Sequence, residues 1–199
     1  MVEETSGPAT GTSGERRPER HRPRTSAAAW EDLRARLRDT RWPPTPADVG
    51  WSLGADPAYL RDLVAYWADG FDWPARGRIS GVYGSQRVLN GEARAPHLGL
   101  DVAAPVGTPV LAMAPGRVLL AAEFYFLGKV VVLDHGHGVQ SLYAHLSRIE
   151  VSEGMAVGRR QPLGAIGATG RVTGAHLHLG LNWFATAVDP QPLLPPAQG

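Results

Sequence analysis

Between residues 27 and 73 the apolar positions of this chain recur at three- and four-residue spacing; from about residue 74 they gather into short runs cut by glycine. The two stretches therefore predict different structure. In "AAAWEDLRARLRDTRW", Trp30, Leu33 and Leu37 fall on one helical face with arginines and acids on the others. "PPTP" at 43–46 ends that helix, because proline cannot continue the hydrogen-bond ladder. In "DPAYLRDLVAYWADGFDW", Asp56 caps a second helix, Pro57 suits its first turn, and Tyr59, Leu60, Leu63, Val64 and Trp67 form the apolar stripe. The tryptophans read as packing between the two helices rather than as an aromatic ligand box. Such a pair is too small to be a strong domain alone.

Beyond Pro74 the runs are "GRISGVYGS", "TPVLAMA", "GRVLLAAEF", "GKVVVLDHGHG", "VQSLYAHL", "PLGAIGATG" and "AHLHLGLNW". No helix-length periodic stretch separates them, so residues 74–199 predict a mainly β unit, an antiparallel β-sandwich or barrel-like domain. "DHGHG" at 134–138 reads as a tight turn between two strands, with His135 and His137 facing water.

Composition removes several functions. Lys and Arg total 20 against 19 for Asp and Glu, too even to advertise nucleic acid or an anionic surface. Cysteine is absent, which removes disulfides and thiolate metal sites. No apolar run reaches the roughly 18 residues of a membrane span. Residues 1–26 are polar and rich in Gly, Pro, Ser and Arg, so a disordered tail is expected there, and the start lacks the apolar segment of a secretory signal peptide.

The candidate chemistry lies in the histidines. In a strand, positions two apart share a face, so His176 and His178 of "GAHLHLGLNW" look into one space. Two buried imidazoles there need partners, which a metal or a reacting group would supply. His97 and Asp101 stand in "HLGLD", and His145 ends "YAHL". Singly, each has an ordinary reading: a chance H-x-x-x-D pair, a turn or cap aspartate, a satisfied strand-end histidine. Together, four of the six histidines after residue 74 fall in three short motifs.

Two resemblances follow from these motifs. "DLRARLRDTRWP" and "GWSLGADPAYLRDLVAYWADGFDW", about residues 29–73, resemble the N-terminal segment of epoxide hydrolases. No α/β-hydrolase sheet or nucleophile elbow follows, so that likeness implies an origin and no chemistry. From about residue 78 to 194, "RISGVYGSQRVLNG", "PHLGLDVAAPVGTPVLAMAPGRV", "VVVLDHGHGVQSLYAHLSRI" and "GMAVGRRQPLGAIGATGRVTGAHLHLGLNW" resemble the lysostaphin/LytM-type zinc metallopeptidases, which are peptidoglycan endopeptidases. The resemblance implies Zn²⁺ held by His97, Asp101 and His178, with His145 and His176 as catalytic histidines beside a metal-activated water. Two imidazoles and a carboxylate suit zinc and leave a fourth position open. The implied partners are peptidoglycan peptides, and the implied location is periplasm or cell wall, against the lack of an export signal.

Two other readings compete. One is a non-catalytic LytM-like module that binds the wall or activates an amidase, although such modules usually lose ligands and none is lost here. The other is a lipoyl- or biotin-carrier-like domain, suggested by "EGMAVGRRQPLGAIG"; its acceptor would have to be Lys129, the only lysine, at a strand start.

Overall fold

The computed structural model describes residues 26–42, 56–85, 88–89, 92–93 and 95–196. The expected tail over 1–26 therefore lies outside the described residues, except for Ser26. That serine opens the first helix, α1 (Ala27–Arg38), by accepting from Ala29 N at 3.2 Å. Asp56 opens α2 (Pro57–Asp69) as its sequence suggests, with Oδ1 accepting from Ala58 N at 2.7 Å and Tyr59 N at 3.0 Å. The predicted stripe is half-buried at Tyr59, Leu60, Leu63 and Val64 but not at Trp67. Trp67 is 45 % exposed, whereas Ala68 is buried and Tyr66 packs its ring edge-on against Phe71 at 5.6 Å. Helix α2 answers to the sheet as well as to α1, and that pulls its buried side toward Tyr66.

The strands follow in chain order. They are β1 (Arg78–Gly81), β2 (Val88–Leu89), β3 (Glu92–Ala93), β4 (Leu100–Ala103), β5 (Pro109–Leu111) and β6 (Gly116–Phe124). Then come β7 (Gly128–Asp134), β8 (Val139–Ile149), β9 (Ala156–Val157), β10 (Pro162–Ile166), β11 (His176–Trp183) and β12 (Thr186–Ala187). A short 3-10 turn at Gln191–Leu193 ends the described chain. Among the described residues, strands β2 and β3 pair only with each other; the rest form one antiparallel sheet in the order β1-β4-β11-β8-β7-β6-β9, with β10 joining β5 to β8. The fold is mainly antiparallel β, as the glycine-cut runs predict.

Strand β11 sits between β4 and β8 and shows why it positions a site. Leu177, Leu179 and Leu181 are at most 2 % exposed and join one core with Leu100 and Val102 of β4, Leu133 of β7 and Tyr143 of β8. Its alternate residues, His176 and His178, turn to the other face. Burial of those leucines locks the register, because a one-residue slip would drive both histidines into the core.

The turn at 134–138 is present between β7 and β8, but its histidines do not face water. His135 is buried: Nδ1 lies 2.6 Å from Pro115 O and Nε2 2.7 Å from Ser141 Oγ, which donates to Tyr143 OH at 3.0 Å. The ring of His137 lies 5.0 Å from Tyr59 and 5.8 Å from Tyr66. Helix α2 covers a turn that would otherwise be solvated, which is why these histidines leave the water in which a turn alone would place them. Among the described residues no helix is long and apolar enough to cross a membrane.

Candidate metal centre

Three donor atoms converge at one end of β4 and β11. Asp101 pairs with His178 in the β4–β11 register, and antiparallel partners place their side chains on one face. His178 Nδ1 lies 2.8 Å from Asp101 Oδ1. His97 precedes β4 and is held by the 82–85 turn, its N donating to Ser85 O at 3.0 Å and its O accepting from Gly84 N at 2.7 Å. That turn delivers His97 Nε2 to 3.0 Å from both Asp101 Oδ1 and His178 Nδ1.

The protonation pattern fits a cation. His97 Nδ1 lies 3.1 Å from Val82 O and must donate to it, so in the neutral ring Nε2 presents its lone pair. A ligating histidine characteristically donates its other N–H to a carbonyl in this way. A lone pair and a carboxylate oxygen aimed at one point repel unless a proton, such as one on His178 Nδ1, or a cation sits between them. Burial alone would push the Asp101 carboxyl up, but the His178 and His97 rings, with nitrogens 2.8 and 3.0 Å from Oδ1, outweigh it and hold Asp101 well below the usual carboxylate range. Two imidazoles and one carboxylate are a donor set that zinc takes.

Two glycines keep the backbone clear. A Cβ at Gly99 would lie 2.5 Å from His178 Cε1 and 2.6 Å from the Leu179 carbonyl oxygen. At Gly81, paired with Asp101 across β1–β4, a Cβ would lie 2.5 Å from Asp101 Oδ2.

His145 reaches this centre by an irregularity. Val131 pairs with Tyr143 and Lys129 with Leu146, so Val130 alone faces Ala144 and His145. In a regular strand His145 would share the core side of Tyr143, opposite to Ala144, the residue that pairs with His178. The extra residue and a left-handed φ of 64° at His145 turn its ring over to the histidine side. Its ring centroid then stands 4.8 Å from His176 and 6.1 Å from His178.

Both outer histidines are oriented by main-chain carbonyls. His145 Nδ1 lies 3.0 Å from Thr169 O and His176 Nδ1 2.9 Å from Gly174 O, so each donates from Nδ1 and presents Nε2 as acceptor. His176 Nε2 is 4.0 Å from Asp101 Oδ1, beyond direct contact with the three-donor point. Burial holds His145 below the ordinary imidazole value of 6.5, against the Thr169 carbonyl, which raises it.

All five residues singled out by the three motifs are thus brought together. Thr169, Val82, Gly99 and Gly81 were not: they act through backbone atoms or through a missing side chain, and neither leaves a chemical signature in a sequence.

Comparison with known proteins gives a family. Residues 95–190 match peptidase family M23. The catalytic domain of lysostaphin from Staphylococcus simulans is similar, with 31 % identity, a TM-score of 0.52, and coverage of 58 % of this chain and 90 % of that domain. This chain belongs to peptidase family M23. Among relatives of this M23 chain, the peptidoglycan DD-endopeptidase ShyA of Vibrio cholerae is 42 % identical over 105 residues, 52 % of this chain and 24 % of that protein. The murein hydrolase activator EnvC of Escherichia coli is 39 % identical over 122 residues, 61 % of this chain and 28 % of that protein. The M23 chain thus spans about a quarter of the length of these relatives. Residues 18–80 match the epoxide hydrolase N terminus.

Proposed function

We propose that this M23 chain is a zinc-dependent endopeptidase that hydrolyses peptide bonds in peptidoglycan stems or cross-bridges. The observation that carries the reading is the convergence of His97 Nε2, Asp101 Oδ1 and His178 Nδ1, which all lie within 4.8 Å of one another. In this reading those three residues hold the metal. Bound zinc supplies Lewis acidity toward a carbonyl and lowers the pKa of water toward neutrality. His145 and His176 do the proton work. Each is fixed with Nε2 as acceptor, so either can take a proton from the attacking water and return it to the departing amine nitrogen. As an imidazolium, the same ring stabilises a developing oxyanion.

A second reading rests on the likeness to EnvC, which is named as an activator of murein hydrolases. It would have the chain bind wall or partner without hydrolysis. The intact three-donor set weighs against it, since binding alone has no use for it.

The test uses the full chain and its His178→Ala variant, with metal measured by elemental analysis and products followed in a muropeptide digest. The wild type should hold one zinc per chain and release new muropeptides. The variant should lose both, because two ligands rarely retain zinc. Full metal content in His178→Ala would overturn the ligand assignment. A zinc-loaded wild type that cuts nothing but stimulates an amidase would favour the second reading.

A further inference from the structure

The β6–β7 hairpin closes on four large apolar residues in succession, and all four reach solvent: Phe124 at 46 %, Tyr125 at 82 %, Phe126 at 61 % and Leu127 at 36 %. Hairpin loops are ordinarily built from small polar residues. Contiguous exposed apolar surface on a soluble fold marks an interaction site. We propose that this tip is a stacking platform for the glycan strand of peptidoglycan, alongside the metal centre; the proposal rests on the substrate reading given above.

The platform is rigid where it matters. Phe124 pairs with Gly128 at the end of the ladder, so Tyr125, Phe126 and Leu127 alone make the loop. Leu127 O accepts from His145 N at 3.0 Å, and Phe126 O accepts from Arg171 N at 3.0 Å. The main chain is tied down while the rings stay out, Tyr125 and Phe126 standing edge-to-face with centroids 4.9 Å apart. With the main chain tied, only the ring torsions remain to be ordered when a ligand stacks on them.

Position and charge select the ligand. Thr169 links tip and site: its O orients His145, and its Oγ1 accepts from Lys129 N at 3.0 Å at the base of the hairpin. A polymer whose peptide lies at the histidines has the tip within its reach, and the polymer attached to a peptidoglycan peptide is a chain of amino sugars. A pyranose ring offers a flat face of C–H bonds to the negative face of an aromatic ring, while its rim hydroxyls suit a tyrosine O–H. A lipid surface would call for a basic cluster beside the apolar tip. Here Lys129 pairs with Glu123 at 3.9 Å, and the exposed Arg171 beside Phe126 is one cation, not a cluster.

The experiment compares wild type with Tyr125→Ser/Phe126→Ser, and separately with Phe124→Ser, each checked for zinc content and fold. Co-sedimentation with peptide-free glycan strands is the first readout and needs no catalysis. The second is the ratio of kcat/KM on intact peptidoglycan to kcat/KM on a sugar-free cross-linked peptide. The wild type should sediment with the glycan, and the double variant should lose at least about tenfold in that binding and in the ratio, through KM. Equal losses on both substrates, no binding of wild type to glycan, or binding to anionic vesicles in place of glycan would each overturn the platform. If neither substrate is cut, the endopeptidase reading fails while the sedimentation result still decides this one.

Discussion

His145 and His176 stand with ring centroids 4.8 Å apart, although regular strand geometry would put them on opposite faces of the sheet. The left-handed turn at His145 brings them together, at a cost of about 1–2 kcal/mol for a residue with a Cβ. A strained residue beside a cluster of donors is where catalytic work is expected, and several outcomes depend on it.

His145→Ala and His176→Ala should each fold, keep zinc and lose on the order of 10²–10⁴ in rate, since neither belongs to the three-donor set. Elemental analysis and a muropeptide assay on the same samples check this. Loss of zinc in His176→Ala together with full retention in His178→Ala would reverse their roles.

The strain at His145 should be measurable as stability. His145→Gly should be more stable than His145→Ala by about 1 kcal/mol, because glycine enters the left-handed region without penalty, and both should be inactive. Urea denaturation of the two variants decides it. Equal midpoints would show that the φ of 64° carries no strain.

Gly99→Ala should weaken metal binding although it replaces no ligand. The new Cβ would meet both His178 and the Leu179 carbonyl oxygen, and a backbone atom in β11 cannot swing away as a side chain end could. A loss of zinc affinity of about tenfold or more is expected in a competition titration with a chelator.

His135 should make stability depend on pH. Burial holds its folded value below the ordinary 6.5. The unfolded chain therefore takes up the proton first, and the contribution is complete above 6.5 and lost as pH falls from there toward the folded value. The slope reaches at most about 1.4 kcal/mol per pH unit for one proton. His135→Gln, which keeps polar atoms but no titration, should show a shallower fall between about pH 7.5 and about pH 5.5 in urea midpoints. Matching slopes would assign the loss to other groups.

Phe71 ties the helical segment to the sheet without approaching the site. It is 8 % exposed in the same core as Leu133 and Tyr143, and Trp73 Nε1 donates to Pro195 O at 2.8 Å. Phe71→Ala should destabilise by about 3–5 kcal/mol. Turnover per folded molecule should hold, since α2 meets β8 near Val139, six residues and about 20 Å along the strand from His145. A chain begun at Pro74 should behave likewise, unfolding more readily and keeping its turnover; a folded, zinc-loaded but inactive product would place the helices in the substrate groove.

What the sequence by itself determined is local. Asp56 before Pro57 sets the start of α2, the alternation in "HLHLGL" sends Leu177 and Leu179 inward and both histidines the other way, and the glycines of "DHGHG" make a turn. Each is a consequence of one residue's conformational or solvation preference within its own segment, which is why the β class and the five candidate residues were legible. Tertiary structure decided the rest. His135 and His137 look like turn residues because nothing nearby in the chain covers them; Pro115 and Phe71, brought from elsewhere, enclose the first, and α2 half-covers the second. His145 turns toward His176 because β7 and β8 are one residue out of step there, and that mismatch is a property of two strands. The carbonyls of Val82, Gly174 and Thr169 that orient three histidines belong to the backbone, which every residue carries, so only folding assigns each one its partner.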